Sequence, residues 1–118
     1  VGNPYQTWVK GVNTLRTATA PARLLIPDSY TDTLASDPTT WTNITGDRLI
    51  KHNGTGTQPI ITAGTDREYL SIAGTSSGMR ISSLTFTKTG TAGSSSALDL
   101  GGDGLLVQNC TITAGSTY

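Results

Sequence analysis

Short runs of alternating apolar and polar residues recur along the chain at a nearly constant spacing. The segment 42–44 aligns with 70–72 and then with 98–100 (70 minus 42 and 98 minus 70 are both 28), and glycine follows each triplet within two positions. With a shift of 26 (107 minus 81), 81–87 aligns with 107–113, with apolar residues in the same columns. Such alternation is typical of half-buried β-strands, and such a period is typical of a solenoid. The alternative is chance similarity in a chain rich in threonine and glycine, but the matching columns are apolar.

Each repeat of about 26 residues has the pattern of three short strands joined by tight turns. In one repeat the strands are 70–72, the segment before Ser83, and 84–86, with a bend at Ser83 between the last two. The earlier segments 48–51 and 59–62 fit a preceding coil less cleanly. Because turns this short leave no room for helices, we predict an all-β fold, a parallel β-helix (solenoid) of about three coils.

The first forty residues begin with a helical pattern. Asn3 followed by Pro4 is a typical helix start, since it combines an N-capping side chain with proline at the first helical position. The segment 24–26 then has the composition of a buried strand. One helical face carries the apolar residues Tyr5, Trp8, Val9, Val12 and Leu15. We therefore expect residues 1–40 to form a capping helix and first strand, and residues 41–118 to form the coils.

Composition supports β structure and excludes several classes of protein. The 118-residue chain contains 14 glycines, 22 threonines and 11 serines, while 35% of its residues are hydrophobic and 14% are charged. Eight basic residues balance eight acidic ones, which leaves no net field to hold nucleic acid or an anionic membrane. A single cysteine and a single histidine cannot build an internal disulfide or a His/Cys metal cage. We expect no metal, no cofactor and no membrane-spanning segment.

The order of elements resembles the start of a known superfamily. The chain contains, in order, a helix, the segment 23–30 and the coils. This order is similar to that of the pectate-lyase-like right-handed parallel β-helix superfamily, in which the first strand ends in a Pro-x-Gly-x-Tyr-like turn. Ser29 stands where glycine is usual, and Asn109 falls at the tight bend where that superfamily often places asparagine. The resemblance implies a right-handed, single-stranded β-helix. Phage tailspikes and tail fibres, polysaccharide lyases, glycosidases and surface adhesins share this scaffold.

The resemblance also implies a place for ligand binding. In the enzymes of this superfamily, carbohydrate binds along a groove beside the sheet formed by the first strand of each coil. Alternation places Asn43, Ser71 and Asp99 outward on that sheet, and Asp47 and Asp103 follow in the turns. These five residues are the candidates for ligand binding. Asp99 and Asp103 could supply the two carboxylates of a glycosidase, although a solvated residue and a glycine-flanked turn aspartate are the simpler interpretation.

Three further residues have side chains with notable chemistry. His52 lies beside an Asn-Gly turn signal and is interpreted as a surface histidine rather than a catalytic base. Cys110 shares an inward column with a leucine, which favours a small core residue over a reactive thiol. Trp41 fits core packing better than stacking on a sugar ring.

These observations are compatible with three functions. We expect a structural or adhesive module of a virion tail spike, tail fibre or cell-surface protein, located outside the cell or on the virion, that contacts surface polysaccharide. Its expected partners are identical chains (three by resemblance) or further coils of the same protein, without nucleic acid or membrane insertion. The main alternative is the N-terminal part of a polysaccharide lyase or glycoside hydrolase. Thr-x-Thr pairs within 85–89 and 111–113 suggest ice binding as a third function, although we do not expect them on every coil.

Overall fold

The structure, a computed structural model, describes residues 7–64, 67–89 and 98–113. Within these ranges a helix, α1 (Trp8–Thr17), precedes a series of short strands. The strands are β1 (Ala22–Ile26), β2 (Thr31–Thr33), β3 (Arg48–His52), β4 (Ile60–Ala63), β5 (Leu70–Ile72), β6 (Met79–Ser82), β7 (Thr85–Lys88), β8 (Leu98–Leu100), β9 (Leu106–Gln108) and β10 (Thr111–Thr113).

The strands stack into three sheets around a common core. Sheet A has the order β1-β3-β6-β9, sheet B has the order β2-β4-β7-β10, and sheet C pairs β5 with β8. The strand pairs in all three sheets are parallel. From β3 onward, successive strands enter sheets A, B and C in turn, so one circuit is one coil. The predicted all-β, parallel β-solenoid of about three coils with a short N-terminal helix is confirmed.

The register between the later coils follows the repeats in the sequence. Strand β5 pairs with β8 at the predicted shift (98 minus 70, or 28), and β6 pairs with β9 at the other predicted shift (107 minus 81, or 26). The predicted bends are also confirmed, because Ser83 and Asn109 have left-handed backbone with φ of 61° and 52°. Only a few residue types adopt this conformation readily, and asparagine is one of them.

One predicted alignment is wrong. The repeat predicts Asn43 opposite Ser71, whereas Trp41 pairs with Ile72, at a shift of 31 (72 minus 41). Trp41 is 1% exposed, so the largest apolar side chain takes the inward column and its core packing is confirmed. Asn43 lies beyond this bridge in a left-handed conformation (φ 57°), and its backbone N–H donates to Oγ1 of Thr75.

Apolar side chains form inward columns that continue from coil to coil. In sheet B, Ile61 stacks on Phe86, and both are fully buried. The ring of Trp8 meets Phe86 edge-on, with 5.7 Å between ring centroids. Burial of each such side chain contributes about 1.5–3 kcal/mol. The corresponding column of sheet A is Leu24, Ile50, Ile81 and Val107.

Helix α1 packs its apolar face against β1. Its N-cap is Thr7, whose hydroxyl accepts the backbone N–H of Lys10. The predicted helix start at Asn3 and Pro4 lies outside the described residues. In the part of the chain that the structure describes, no helix is long and apolar enough to cross a membrane. Of the predicted apolar face, Trp8, Val12 and Leu15 are buried, as is Gly11 beside them, whereas Val9 is half-buried and Tyr5 lies outside the described residues.

Two charged side chains of the solenoid hold the ends of α1. The carboxylate of Asp32 in β2 accepts the backbone N–H of Trp8 at 2.8 Å. Arg48 in β3 is 6% exposed and donates to the carbonyls of Leu15 and Ala18 at 3.0 and 2.7 Å. A carboxylate at the N-terminus and a guanidinium at the C-terminus both match the helix dipole, and both bind backbone groups at the two ends of the helix.

Replacing Arg48 should destabilise the fold strongly. In Arg48→Met the side-chain volume is nearly kept, but the carbonyls at the end of α1 lose their buried donor, so we expect a loss of about 3 kcal/mol in the free energy of unfolding. Urea unfolding followed by circular dichroism measures this loss. Arg80→Met is the control, because Arg80 lies in an exposed ion pair worth at most about 1 kcal/mol. Equal losses in the two variants would contradict the role assigned to Arg48.

Candidate functional site

Ser71 and Asp99 lie side by side on the outer face of sheet C. They are register partners in the pairing of β5 with β8. Asp99 is exposed and Ser71 is half-buried, while the residues on either side of Ser71 are fully buried. Asn43 does not join them, because Trp41 takes the position beside Ile72. The structure therefore brings together two of the three residues expected on this face.

Two carboxyl groups that the sequence analysis did not single out accompany Asp99. The backbone N–H of Glu68 donates to Oδ1 of Asp37 at 3.1 Å. Burial raises the pKa of the Glu68 carboxyl above its ordinary value, the negative charges of Asp37 and Asp99 raise it further, and the Lys88 ammonium lowers it. These acidic residues come from three different coils, so no local motif in the sequence could have indicated that they meet.

Lys88 is the buried cation of this group. It is 5% exposed, and its Nζ donates to the backbone carbonyl of Arg67 at 2.7 Å. The Arg67 guanidinium lies 3.9 Å from Oδ1 of Asp37. Chemically, a carboxyl group with a raised pKa beside a second carboxyl group is the combination that serves general acid catalysis.

Asp103 lies in a turn and is not part of the cluster of Asp37, Glu68 and Asp99. It follows β8, forms an isolated bridge with Ser77, and donates its backbone N–H to the carbonyl of Ser76 at 3.0 Å. The next residue, Gly104, has a left-handed backbone (φ 64°). Asp103 is not among the charges that shift the pKa of Glu68. Its environment is that of a turn aspartate.

Asp47 lies on the side of sheet A, where it pairs with Arg80. The guanidinium donates from Nε and Nη2 to Oδ1 at 3.1 and 2.8 Å, and from Nη2 to Oδ2 at 3.0 Å. Both side chains are about half exposed, so the pair adds at most about 1 kcal/mol to stability. Together with Arg23 and Leu49 they line a cleft of about 420 Å³. Asp47 is therefore separate from the Ser71 and Asp99 pair.

The prediction that His52 is a surface residue is wrong. His52 is the last residue of β3, is 7% exposed, and contacts Oδ1 of Asp28 through Nε2. Asp28 follows β1, the partner strand of β3, and also accepts the backbone N–H of Gly56 at 3.1 Å. A Cβ atom at Gly54 would overlap this carboxylate. Strand β3 can end in a buried histidine because Asp28 supplies the hydrogen-bond partner that a buried imidazole needs.

Cys110 is half-buried and packs against the core, as its column predicts. Its Sγ donates to the carbonyl of Gln108 at 3.3 Å. Across residues 7–64, 67–89 and 98–113, no group of three or more His, Cys, Asp and Glu side chains is placed to hold a metal ion.

An open depression of about 480 Å³ lies between α1 and residues 32–36. Asp32, at its edge, is engaged with the N-terminus of α1 and with Tyr30. Burial, the charge of Asp32 and a hydrogen bond with Asp32 together raise the pKa of the Tyr30 phenol to about 12. Its lining includes five small hydroxyl side chains: Thr7, Thr14, Thr17, Thr33 and Ser36.

Removing the charge of Asp99 should change the titration of Glu68. In Asp99→Asn the pKa of Glu68 should fall toward its ordinary value, because a negative neighbour is lost. NMR titration of the carboxyl carbon measures this pKa. Since the folded-state pKa is raised, Glu68 makes stability decrease as the pH rises from the unfolded-state pKa through the folded-state pKa. Asp103→Asn is the control, and an equal change in that variant would contradict the assignment.

Comparisons with known proteins identify no relative. Neither protein-family models nor curated proteins match the chain, and no solved structure matches it. The coarse fold, a parallel β-solenoid, is therefore established by the register of the strands themselves.

Proposed function

We propose that the chain is a structural and adhesive β-solenoid module of a virion tail spike, a tail fibre or a cell-surface protein. The observation that carries this proposal is the exposure of the inward columns at the last described coil. Val107 continues the column of Ile81, and Ile112 continues the column of Phe86. Ile81 and Phe86 are 1% and 0% exposed, whereas Val107 and Ile112 are 38% and 60% exposed.

Exposed columns beside open strand edges form a surface for association. Among the described strands, β9 and β10 are each paired on one side only. The backbone groups along their other edge can pair with a further strand, and that strand would also bury Val107 and Ile112. The proposed partners are identical chains, three by resemblance, or further coils of the same protein.

The likeness to the pectate-lyase-like superfamily supports this proposal. Ser29, which stands where that superfamily has glycine, has the left-handed backbone (φ 61°) that glycine favours. Asn109 has a left-handed backbone at its bend as well. In this proposal the module lies outside the cell or on the virion, and Ser71 and Asp99 on sheet C contact surface polysaccharide.

The polysaccharide-degrading alternative is supported by the carboxyl groups of sheet C. A glycosidase needs one protonated and one ionised carboxyl group. Burial and the negative charges of Asp37 and Asp99 raise the pKa of Glu68, which is the direction that a general acid requires. In that alternative Glu68 is the general acid and Asp99 is the ionised carboxylate. This pair replaces the pair of Asp99 and Asp103 that the sequence suggested.

Charge on the exposed columns should prevent association. We expect the wild-type chain to form oligomers, and expect Val107→Lys combined with Ile112→Lys to be monomeric, because association would bury two unpaired ammonium groups. Size-exclusion chromatography with light scattering measures the mass. The control combines Gln108→Lys with Thr111→Lys, which add equal charge on outward neighbours. A monomeric wild-type chain at all concentrations would overturn the proposed assembly.

A regular threonine array on the outer face of sheet B favours a second function, ice binding. The register aligns residues from four successive strands into two outward rows. The Thr-x-Thr pair is absent from β4, where Ile60 takes the first position, so the expectation that the pair does not recur on every coil is confirmed. The rows are Thr31, Ile60, Thr85 and Thr111, and Thr33, Thr62, Thr87 and Thr113.

The spacing of this array follows from the backbone. Neighbouring strands are about 4.8 Å apart, and residues two apart along a strand are separated by about 6.6 Å. The array therefore presents uncharged hydroxyl and methyl groups at fixed intervals in two directions. One of these hydroxyls, on Thr85, donates to Oε1 of Gln58 at 3.2 Å. A rigid periodic surface of this kind suits a periodic ligand such as the ice lattice.

Interrupting the array should remove ice binding. Thr62→Lys combined with Thr87→Lys places charge at the centre of one row, so we expect most of the thermal hysteresis of the wild-type chain to be lost. Thr14→Lys is the control, because Thr14 is an exposed threonine on α1. Undetectable thermal hysteresis in the wild-type chain, or equal activity in both variants, would reject this function.

A further inference from the structure

A row of alternating arginine and leucine crosses the outer face of sheet A. The register places Arg23 beside Leu49, Leu49 beside Arg80, and Arg80 beside Leu106. Within each strand, at least one residue next to Arg23, Leu49 or Arg80 is buried. Because side chains alternate along a strand, these three side chains point outward. The backbones of Arg23 and Arg80 are two strand spacings apart, about 10 Å. Two long side chains at this separation can reach one ligand between them.

The two arginines line one cleft. Its volume of about 420 Å³ is within the range of small-molecule sites. Leu49 lies between the arginines, and Pro21 and Ala22 extend the apolar part of the lining. The cleft therefore combines two guanidinium groups with a floor that suits the carbon skeleton of a small ligand.

The cleft has unused donors and an excess of positive charge. Asp47 engages Nε and Nη2 of Arg80, and Nη1 donates to no acceptor in the described ranges. Arg23 forms no hydrogen bond or ion pair with any residue that the structure describes. Two guanidinium groups and one carboxylate leave a net charge of +1 in the cleft.

The geometry favours a tetrahedral anion over a planar one. A carboxylate presents two oxygens in one plane and is satisfied by a single guanidinium fork, whereas a phosphate has further oxygens for a second guanidinium. The carboxylate of Asp47 opposes a bare anion but can accept a hydroxyl group carried beside the phosphate. Among the residues that the structure describes, no aromatic side chain lines the cleft, so these residues offer no stacking surface for a nucleobase.

We propose that this cleft binds a phosphate monoester of a hydroxylated small molecule, such as a sugar phosphate. Arg23 and Arg80 bind the phosphate, Leu49 contacts the carbon skeleton, and Asp47 accepts a hydroxyl group. This site is separate from the open edges of β9 and β10 and from the threonine array of sheet B. Failure of this proposal would therefore leave the assembly and ice-binding proposals intact, and the reverse also holds.

NMR titration of the full chain with glucose 6-phosphate tests the proposal. We expect saturable shifts of the Nε–H resonances of Arg23 and Arg80, with tighter binding than for inorganic phosphate or glucuronate. Arg23→Gln and Arg80→Gln should each weaken binding about tenfold, since each removes charge-assisted hydrogen bonds. Arg23→Lys keeps the charge but loses the planar fork, so it should also bind more weakly than the wild-type chain.

Lys10→Gln is the matched control, because it removes one exposed positive charge on α1, outside the cleft. Its affinity should stay within about twofold of wild type, since a distant exposed charge is largely screened. Circular dichroism establishes that each variant is folded, and Arg23→Lys provides a second variant if Arg23→Gln unfolds. The proposal is overturned by wild-type affinity in the glutamine variants, by equal or tighter binding of glucuronate or inorganic phosphate, or by the absence of saturable shifts.

Discussion

Alignment of inward side chains from one coil to the next is the constraint on which the rest of the structure depends. A parallel strand can stack on its neighbour only if its apolar residues fall over those already buried, as Ile81 does over Ile50 and Phe86 over Ile61. Turn lengths adjust to this requirement. The shift between paired strands therefore varies from 25 (86 minus 61) to 31 (81 minus 50), while the columns remain continuous.

The first coil needs a different solution, because it has no preceding coil. Helix α1 packs on β1, and glycine at position 11 permits this approach, since a Cβ atom there would lie 3.1 Å from the Leu24 side chain. The solenoid in turn supplies the charges that hold the helix, Asp32 at one end and Arg48 at the other. Helix and solenoid therefore depend on each other, and a ten-residue helix of low intrinsic propensity is stabilised by contacts outside itself.

Because the inward columns supply most of the stability, the outward positions differ in chemistry from sheet to sheet. Sheet A carries the row of arginine and leucine, sheet B carries the threonine array, and sheet C carries Ser71 and Asp99 with Glu68 nearby. Each surface repeats at the spacing of the strands, about 4.8 Å. A solenoid converts a loose repeat along the chain into a regular arrangement in space, and this conversion underlies each of the proposed functions.

The sequence by itself determined the class of fold, the two main repeat shifts, the bends at Ser83 and Asn109, and the apolar face of α1, because these depend on local periodicity and backbone preference. Only the tertiary structure decided which distant residues meet. It buried His52 against Asp28, placed Trp41 instead of Ile44 beside Ile72, and aligned threonines from four strands. The physical reason is that turn lengths vary between coils, so the register is set by burial of the largest apolar side chains, which no single segment of the sequence can reveal.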